Sequence, residues 1–190
     1  MKIAGGGVHR IVGRRDIVIP NTPPAVAVAV SGNAVAYIPA APTVGKGGQP
    51  LASADGPIEV RDARSGALVS SVTPDGTPLA LALSPDVLAT LEQTKNGTRL
   101  TWYSTSTGQS LGSAPVPAQT APELTASDQL IVFRVGRSIR AASVTTQKVT
   151  TLAESASTPI GLSLEGTRLA WAENVKGRGR IRALFVGGRA

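Results

Sequence analysis

Pro159-Ile160-Gly161-Leu162-Ser163-Leu164-Glu165-Gly166-Thr167-Arg168-Leu169-Ala170-Trp171-Ala172 is the stretch whose reading decides the fold. Ile160, Leu162 and Leu164 alternate with the small Gly161 and Ser163. Period two is the mark of a strand, because successive side chains point to opposite faces. Glu165-Gly166-Thr167 interrupts the run, and its glycine can supply the positive φ of a tight turn. Leu169-Ala170-Trp171-Ala172 then runs back, so the stretch predicts a β-hairpin.

The same design recurs upstream. Val26, Val28 and Val30 turn at Ser31-Gly32-Asn33 into Ala34–Ile38. Leu79, Leu81 and Leu83 turn at Ser84-Pro85-Asp86 into Val87-Leu88-Ala89, and Leu124–Ala126 turns at Ser127-Asp128 into Leu130–Phe133. A proline precedes each copy, at Pro24, Pro78, Pro122 and Pro159, with spacings of 54, 44 and 37 residues. Proline suits the start of a strand, where no ladder donor is yet needed. A second hairpin follows in the first three repeats. Ile58–Asp62 turns at Ala63–Gly66 into Ala67–Val69, Arg99–Tyr103 turns at Thr107-Gly108 into Gln109–Leu111, and Ser138–Ala141 turns near Thr146-Gln147 into Lys148–Leu152. Four strands, A to D, in a period of roughly 40–45 residues describe a propeller blade.

Ser84-Pro85-Asp86 and Glu165–Trp171 resemble the SPDG-x-x-LAW hairpin of the WD40-like repeats in TolB-type propellers, and Ile58–Gly66 resembles the C–D hairpin of WD40 and related propellers. The resemblance covers about residues 24–187, without the Gly-His and Trp-Asp pairs of the eukaryotic WD40 group. It implies a scaffold for binding partners more often than an enzyme, and a periplasmic or extracellular setting. The expected fold is all-β: a β-propeller of about four four-stranded blades, standing alone or as part of a larger propeller. Residues 1–190 form one domain, with blade repeats at 21–73, 74–118, 119–155 and 156–190.

Residues 1–20 hold Val8–Val12 and Ile17–Ile19, which by position before Pro24 are the C and D strands of a blade lacking A and B. At the far end Arg180–Val186 reads as a C strand with no D strand after it. The two ends are complementary, and Ile17–Ile19 is expected to pair beside Arg180–Val186. The first residues lack the apolar run of a signal peptide. Val87–Gln93 is contested. Ser84-Pro85 followed by Leu88, Leu91 and Glu92 and ending at Asn96-Gly97 also makes a well-capped helix. The repeat context predicts strand B there, since three other repeats place a strand at this position.

The composition limits function. The chain is 42% hydrophobic but 3% aromatic, so its core is built from Val, Leu, Ile and Ala, which suits strands buried on both faces. There is no cysteine, hence no disulfide and no thiolate metal site. No run approaches the roughly 20 apolar residues of a membrane span. His9 is the only histidine, no Gly-x-Ser-x-Gly elbow occurs, and carboxylates are scattered singly. No catalytic residue, metal site or cofactor is therefore assigned, and a propeller hydrolase or lyase, or an inactive piece of a larger propeller, ranks behind a binding module. Lys46-Gly47-Gly48 fails as a phosphate loop, because Ala40 stands where its first glycine belongs and Gly47 where its hydroxyl belongs.

The net charge is +7. No dense basic helix or basic–aromatic alternation accompanies it, which argues against nucleic acid. The strand assignment sorts the charge. The A–B turns carry Asp86, Asp128 and Glu165, whereas the B–C loops carry Lys46, Lys95, Arg137, Lys176 and Arg178, with Asp55 the one clear acid. These five basic residues are the candidate ligand-binding set, for a protein or an anionic ligand. Arg180 and Arg182, just beyond them, share one face of a strand.

Overall fold

The computed structural model describes residues 7–40, 56–118 and 122–186. Lys46, Asp55 and most of the Pro39–Pro57 loop lie outside them. Among the described residues, seventeen strands form five antiparallel sheets. A hairpin, β1 (His9–Val12) and β2 (Arg15–Val18), comes first. The first blade is β3 (Ala25–Ser31), β4 (Ala34–Pro39), β5 (Ile58–Asp62) and β6 (Leu68–Val72). The second is β7 (Thr77–Leu83), β8 (Val87–Thr94), β9 (Gly97–Ser104) and β10 (Ser110–Val116). The third is β11 (Leu124–Ala126), β12 (Leu130–Val135), β13 (Ser138–Ser143) and β14 (Val149–Glu154). The fourth has three strands, β15 (Ile160–Glu165), β16 (Arg168–Val175) and β17 (Arg178–Phe185). Each sheet is a meander in chain order. The architecture is an all-β, four-bladed β-propeller, with no helix among the described residues.

Val87–Thr94 is strand B, paired with β7 from Thr77↔Gln93 to Leu83↔Leu88. Local capping signals lose here because tertiary burial outweighs them: the strand's first six residues are all buried. Its two faces feed two cores. Leu88 packs with Tyr103, Val60 and Val72 toward the first blade. Ala89 and Leu91 pack with Trp102, Val116, Ile131 and Phe133 toward the third. Leu169 and Trp171 of β16 continue the series against Val132, Ile139 and Ala141.

The turns repeat as faithfully as the strands. The residue after strand C donates its amide to the residue before strand B in all four blades: Ala63 to Asn33, Thr105 to Asp86, Val144 to Gln129 and Val186 to Thr167, at 2.7, 3.0, 2.9 and 2.7 Å. The A–B and C–D turns therefore share one end of every blade. Gly66, Gly108 and Gln147 hold the same left-handed position in the three C–D turns, with φ of 72°, 71° and 58°. Two of these turns also sit against the preceding sheet. A Cβ on Gly108 would lie 2.6 Å from the Ser71 carbonyl oxygen of β6, and one on Gly66 would lie 2.4 Å from the Pro20 carbonyl oxygen after β2.

The hairpin thus stands toward the first blade as β6 stands toward the second. Val8 and Ile19 are buried on Val35 and Tyr37. This placement corrects the expected closure. Val18 and Ile17 pair with His9 and Arg10 of β1, and β2 has no register with β17. The physical reason is burial: leaving this seat would expose Val8, Ile19, Val35 and Tyr37.

Candidate functional site

The B–C turns lie at the end opposite the A–B turns, together with the D–A connections. Arg137 shows the arrangement. Its backbone carbonyl accepts from Ser155 N at 3.0 Å, and its Nη1 donates to Ala156 O at 3.5 Å. Lys95 is exposed in the β8–β9 turn, Arg137 in the β12–β13 turn, and Lys176 in the β16–β17 turn, with Arg178 opening β17. These four candidates thus occupy the equivalent turn of three consecutive blades. Lys46 lies outside the described residues. Each turn is tight. Gly136 takes φ 59° as the first of two central residues, and Lys176 and Gly177 take 53° and 76°. Positive φ at both central positions, as at Lys176 and Gly177, is the backbone of a type I′ hairpin, whose twist matches that of its strands.

Charges of both signs stand at each end of the blades. At the A–B end Asp128 Oδ1 accepts from the Asp86 amide at 3.0 Å, so acids of adjacent blades meet there. Arg64 and Lys148 occupy C–D turns at the same end. At the B–C end Arg99 pairs with Asp75 at 3.5 Å, and Asp75 lies in a D–A connection.

Sequence reading missed the polar groups buried between blades. Glu92 of β8 is fully buried and accepts from Tyr103 OH at 3.1 Å and Thr90 Oγ1 at 2.5 Å. Burial, then the Glu92 carboxylate, push the Tyr103 phenol above its ordinary value. Glu173, at the matching position of β16, accepts from the Ser155 hydroxyl and the Ala156 amide, and Arg182 stands 3.7 Å away. The Ser155 hydrogen bond, aided by the Ala156 amide, Arg182 and Arg180, holds its carboxyl below the usual carboxylate range. In the first blade Tyr37 donates to Glu59, and Arg61 donates to Glu59 at 2.7 Å. Burial first, then Glu59, push the Tyr37 phenol up to about 12. A lone glutamate in an apolar strand was the available signal in β8 and β16.

The four inner strands converge on a cavity of about 350 Å³, lined by Ala27, Leu79, Leu81, Leu124 and Leu162 with Glu123 at its wall. Glu123 Oε1 accepts from Gly161 N at 3.2 Å and lies 3.9 Å from Arg134. His9 meets Asp16 at 2.8 Å on the exposed hairpin, away from this axis. No metal-ligating cluster occurs among the described residues, and no helix among them is long and apolar enough to cross a membrane.

These features define a β-propeller. No protein family matches the chain, and no curated protein matches it. Its fold matches solved structures. The computationally designed Ika4 protein superposes with a TM-score of 0.57 at 19% identity, over 86% of this chain and 91% of that one. A chain of the nidogen/laminin complex gives 0.56 at 12% identity, over 93% and 69%. BamB from Moraxella catarrhalis gives 0.50 at 14% identity, over 86% and 44%. At such identities the likeness is one of fold.

Proposed function

We propose that the chain is a non-catalytic binding module of the TolB-type, WD40-like kind, whose basic rim receives an acidic protein surface or another anionic ligand. The observation that carries this reading is the placement of Lys95, Arg137 and Lys176 on the same turn of three consecutive blades, with Arg178 beside the last. Like charges repeated around one rim raise the local potential and speed the encounter with an anion. On the same reading β1 and β2 supply the outer half of a further blade, supported by the matching seats of the Gly66 and Gly108 turns.

The test replaces Lys95, Arg137, Lys176 and Arg178 together with Gln and measures retention on an anionic resin. A control variant replaces four other exposed arginines. The reading expects a markedly larger loss for the rim variant. Equal losses would mean that net charge alone governs retention, and would overturn it.

A further inference from the structure

Among the described residues the fourth sheet ends on β17. β17 pairs with β16 along its whole length, from Arg168↔Phe185 to Val175↔Arg178, and among the described residues no strand pairs with its other side. The equivalent strands β5, β9 and β13 each carry a fourth strand there. The bonding pattern of the free edge follows from one hydrogen bond. Val186 N donates to Thr167 O at 2.7 Å, so Arg168 and Phe185 form a non-hydrogen-bonded pair. Antiparallel pairs alternate. The amides of Leu184, Arg182 and Arg180 therefore point to β16, and those of Phe185, Ala183 and Ile181 point outward.

The side chains of that strand are equally ordered. Arg178, Arg180 and Arg182 share the face of Leu184, which packs toward the third blade. Ile181 and Phe185 share the other face and are 84% and 70% exposed. Of the three arginines only Arg182 forms an ion pair within 4 Å among the described residues, with Glu173. An extended chain added to this edge would face arginines on one side and apolar groups on the other. A second copy of β17 would set arginine opposite arginine, and like charges directly opposite destabilise a strand pair.

We propose that the free edge of β17 binds an extended segment of a partner protein in which carboxylates alternate with apolar residues. The outward amides of Ile181, Ala183 and Phe185 give it main-chain hydrogen bonds, and Arg178, Arg180 and Arg182 select its acids. Strand addition to an exposed edge works in this way, with the backbone supplying affinity and alternate side chains supplying selectivity. The site goes beyond the rim reading, since it is a sheet edge and needs neither Lys95 nor Arg137.

The experiment titrates the full chain with a fluorescein-labelled peptide, Thr-Val-Glu-Val-Glu-Val-Glu-Thr, and reads anisotropy. The expected result is saturable binding, weakened about ten-fold when Gln replaces the three glutamates, in line with cross-strand charge pairs. Ala183→Pro removes an outward amide and no bond to β16, a place where an edge strand tolerates proline, and is expected to abolish binding. Two methylated peptides give the same test without altering the protein. Methylating one alternate set of amides is expected to block binding, and methylating the other set to spare it. Arg64→Gln with Lys148→Gln, in C–D turns at the other end of the blades, is expected to leave the titration unchanged. The proposal is overturned by no binding at millimolar peptide, by equal effects of the two methylation sets, by a Gln peptide that binds as well, or by an Ala183→Pro-sensitive dimer of the chain itself.

Discussion

The second blade and the fourth are built from the same repeat, yet they differ in how they are held. In the second, β8 and β9 are covered on both faces, and Trp102 is fully buried between Gly112 and its neighbours. In the fourth, β16 covers one face against the third blade, while Ile160, Ile181 and Phe185 on β15 and β17 lie 56%, 84% and 70% exposed. The hydrogen-bonded meander is common to both. What differs is the neighbour. A blade of this chain is a local structure whose stability comes from the sheets on either side, as in other stacked repeats.

Core truncation gives the sharpest contrast. Trp102→Ala is expected to cost about 3–5 kcal/mol, as for buried aromatic side chains generally. Ile181→Ala, on the open face, is expected to stay within about 0.5 kcal/mol of the parent. Urea denaturation of the two variants checks both, and equal losses would break the contrast.

Turn glycines sharpen it on a smaller scale. Gly108 and Gly166 both have positive φ, at 71° and 55°, but only Gly108 has a neighbour in the way, the Ser71 carbonyl oxygen. Gly166→Ala is expected to cost about 1 kcal/mol from the left-handed conformation alone. Gly108→Ala adds the clash and is expected to cost about 3 kcal/mol. Thermal melts of the pair separate the two contributions.

Acid should act on the fourth blade through Glu173. Its carboxyl titrates lower folded than unfolded, because Ser155 and Ala156 donate to the ionised form and Arg182 and Arg180 stand nearby. The stabilisation is therefore full above the unfolded value of about 4.3 and is lost as pH falls through the lower folded value. Trp171 lies in the same strand and reports the change by fluorescence. Glu173→Gln is expected to flatten that acid response, and an unchanged response would remove Glu173 from the account. A small effect is expected from Arg168→Ala, which removes a guanidinium 5.7 Å from the Phe185 ring. An exposed contact of this kind is worth about 0.5–1 kcal/mol.

The legible part of this fold was local. Ile160–Leu164 and Leu169–Ala172 showed their strands by alternation, and the Ser84-Pro85-Asp86 turn was placed by its likeness to other repeats even though capping rules favoured a helix. Period and turn chemistry are written in adjacent residues. The seat of the first hairpin was not legible, because Ile17–Ile19 fits two edges equally well as a pattern. The choice is made by Val35 and Tyr37, which lie far away in the chain. The basic turns were readable once the strands were assigned. The Glu92 and Glu173 clusters were not, since their partners Tyr103 and Ser155 come from another strand or another blade.

The free edge of β17 is tested most directly by amide hydrogen exchange, residue by residue, in the chain alone. The account predicts alternation along a single strand: Arg180, Arg182 and Leu184 exchange slowly, while Ile181, Ala183 and Phe185 exchange close to the rate of unstructured peptide. Leu100 to Tyr103 of β9, paired on both sides, are all slow. Ile181 and Ala183 as protected as Arg182 would mean that the edge is already occupied, and would contradict the account.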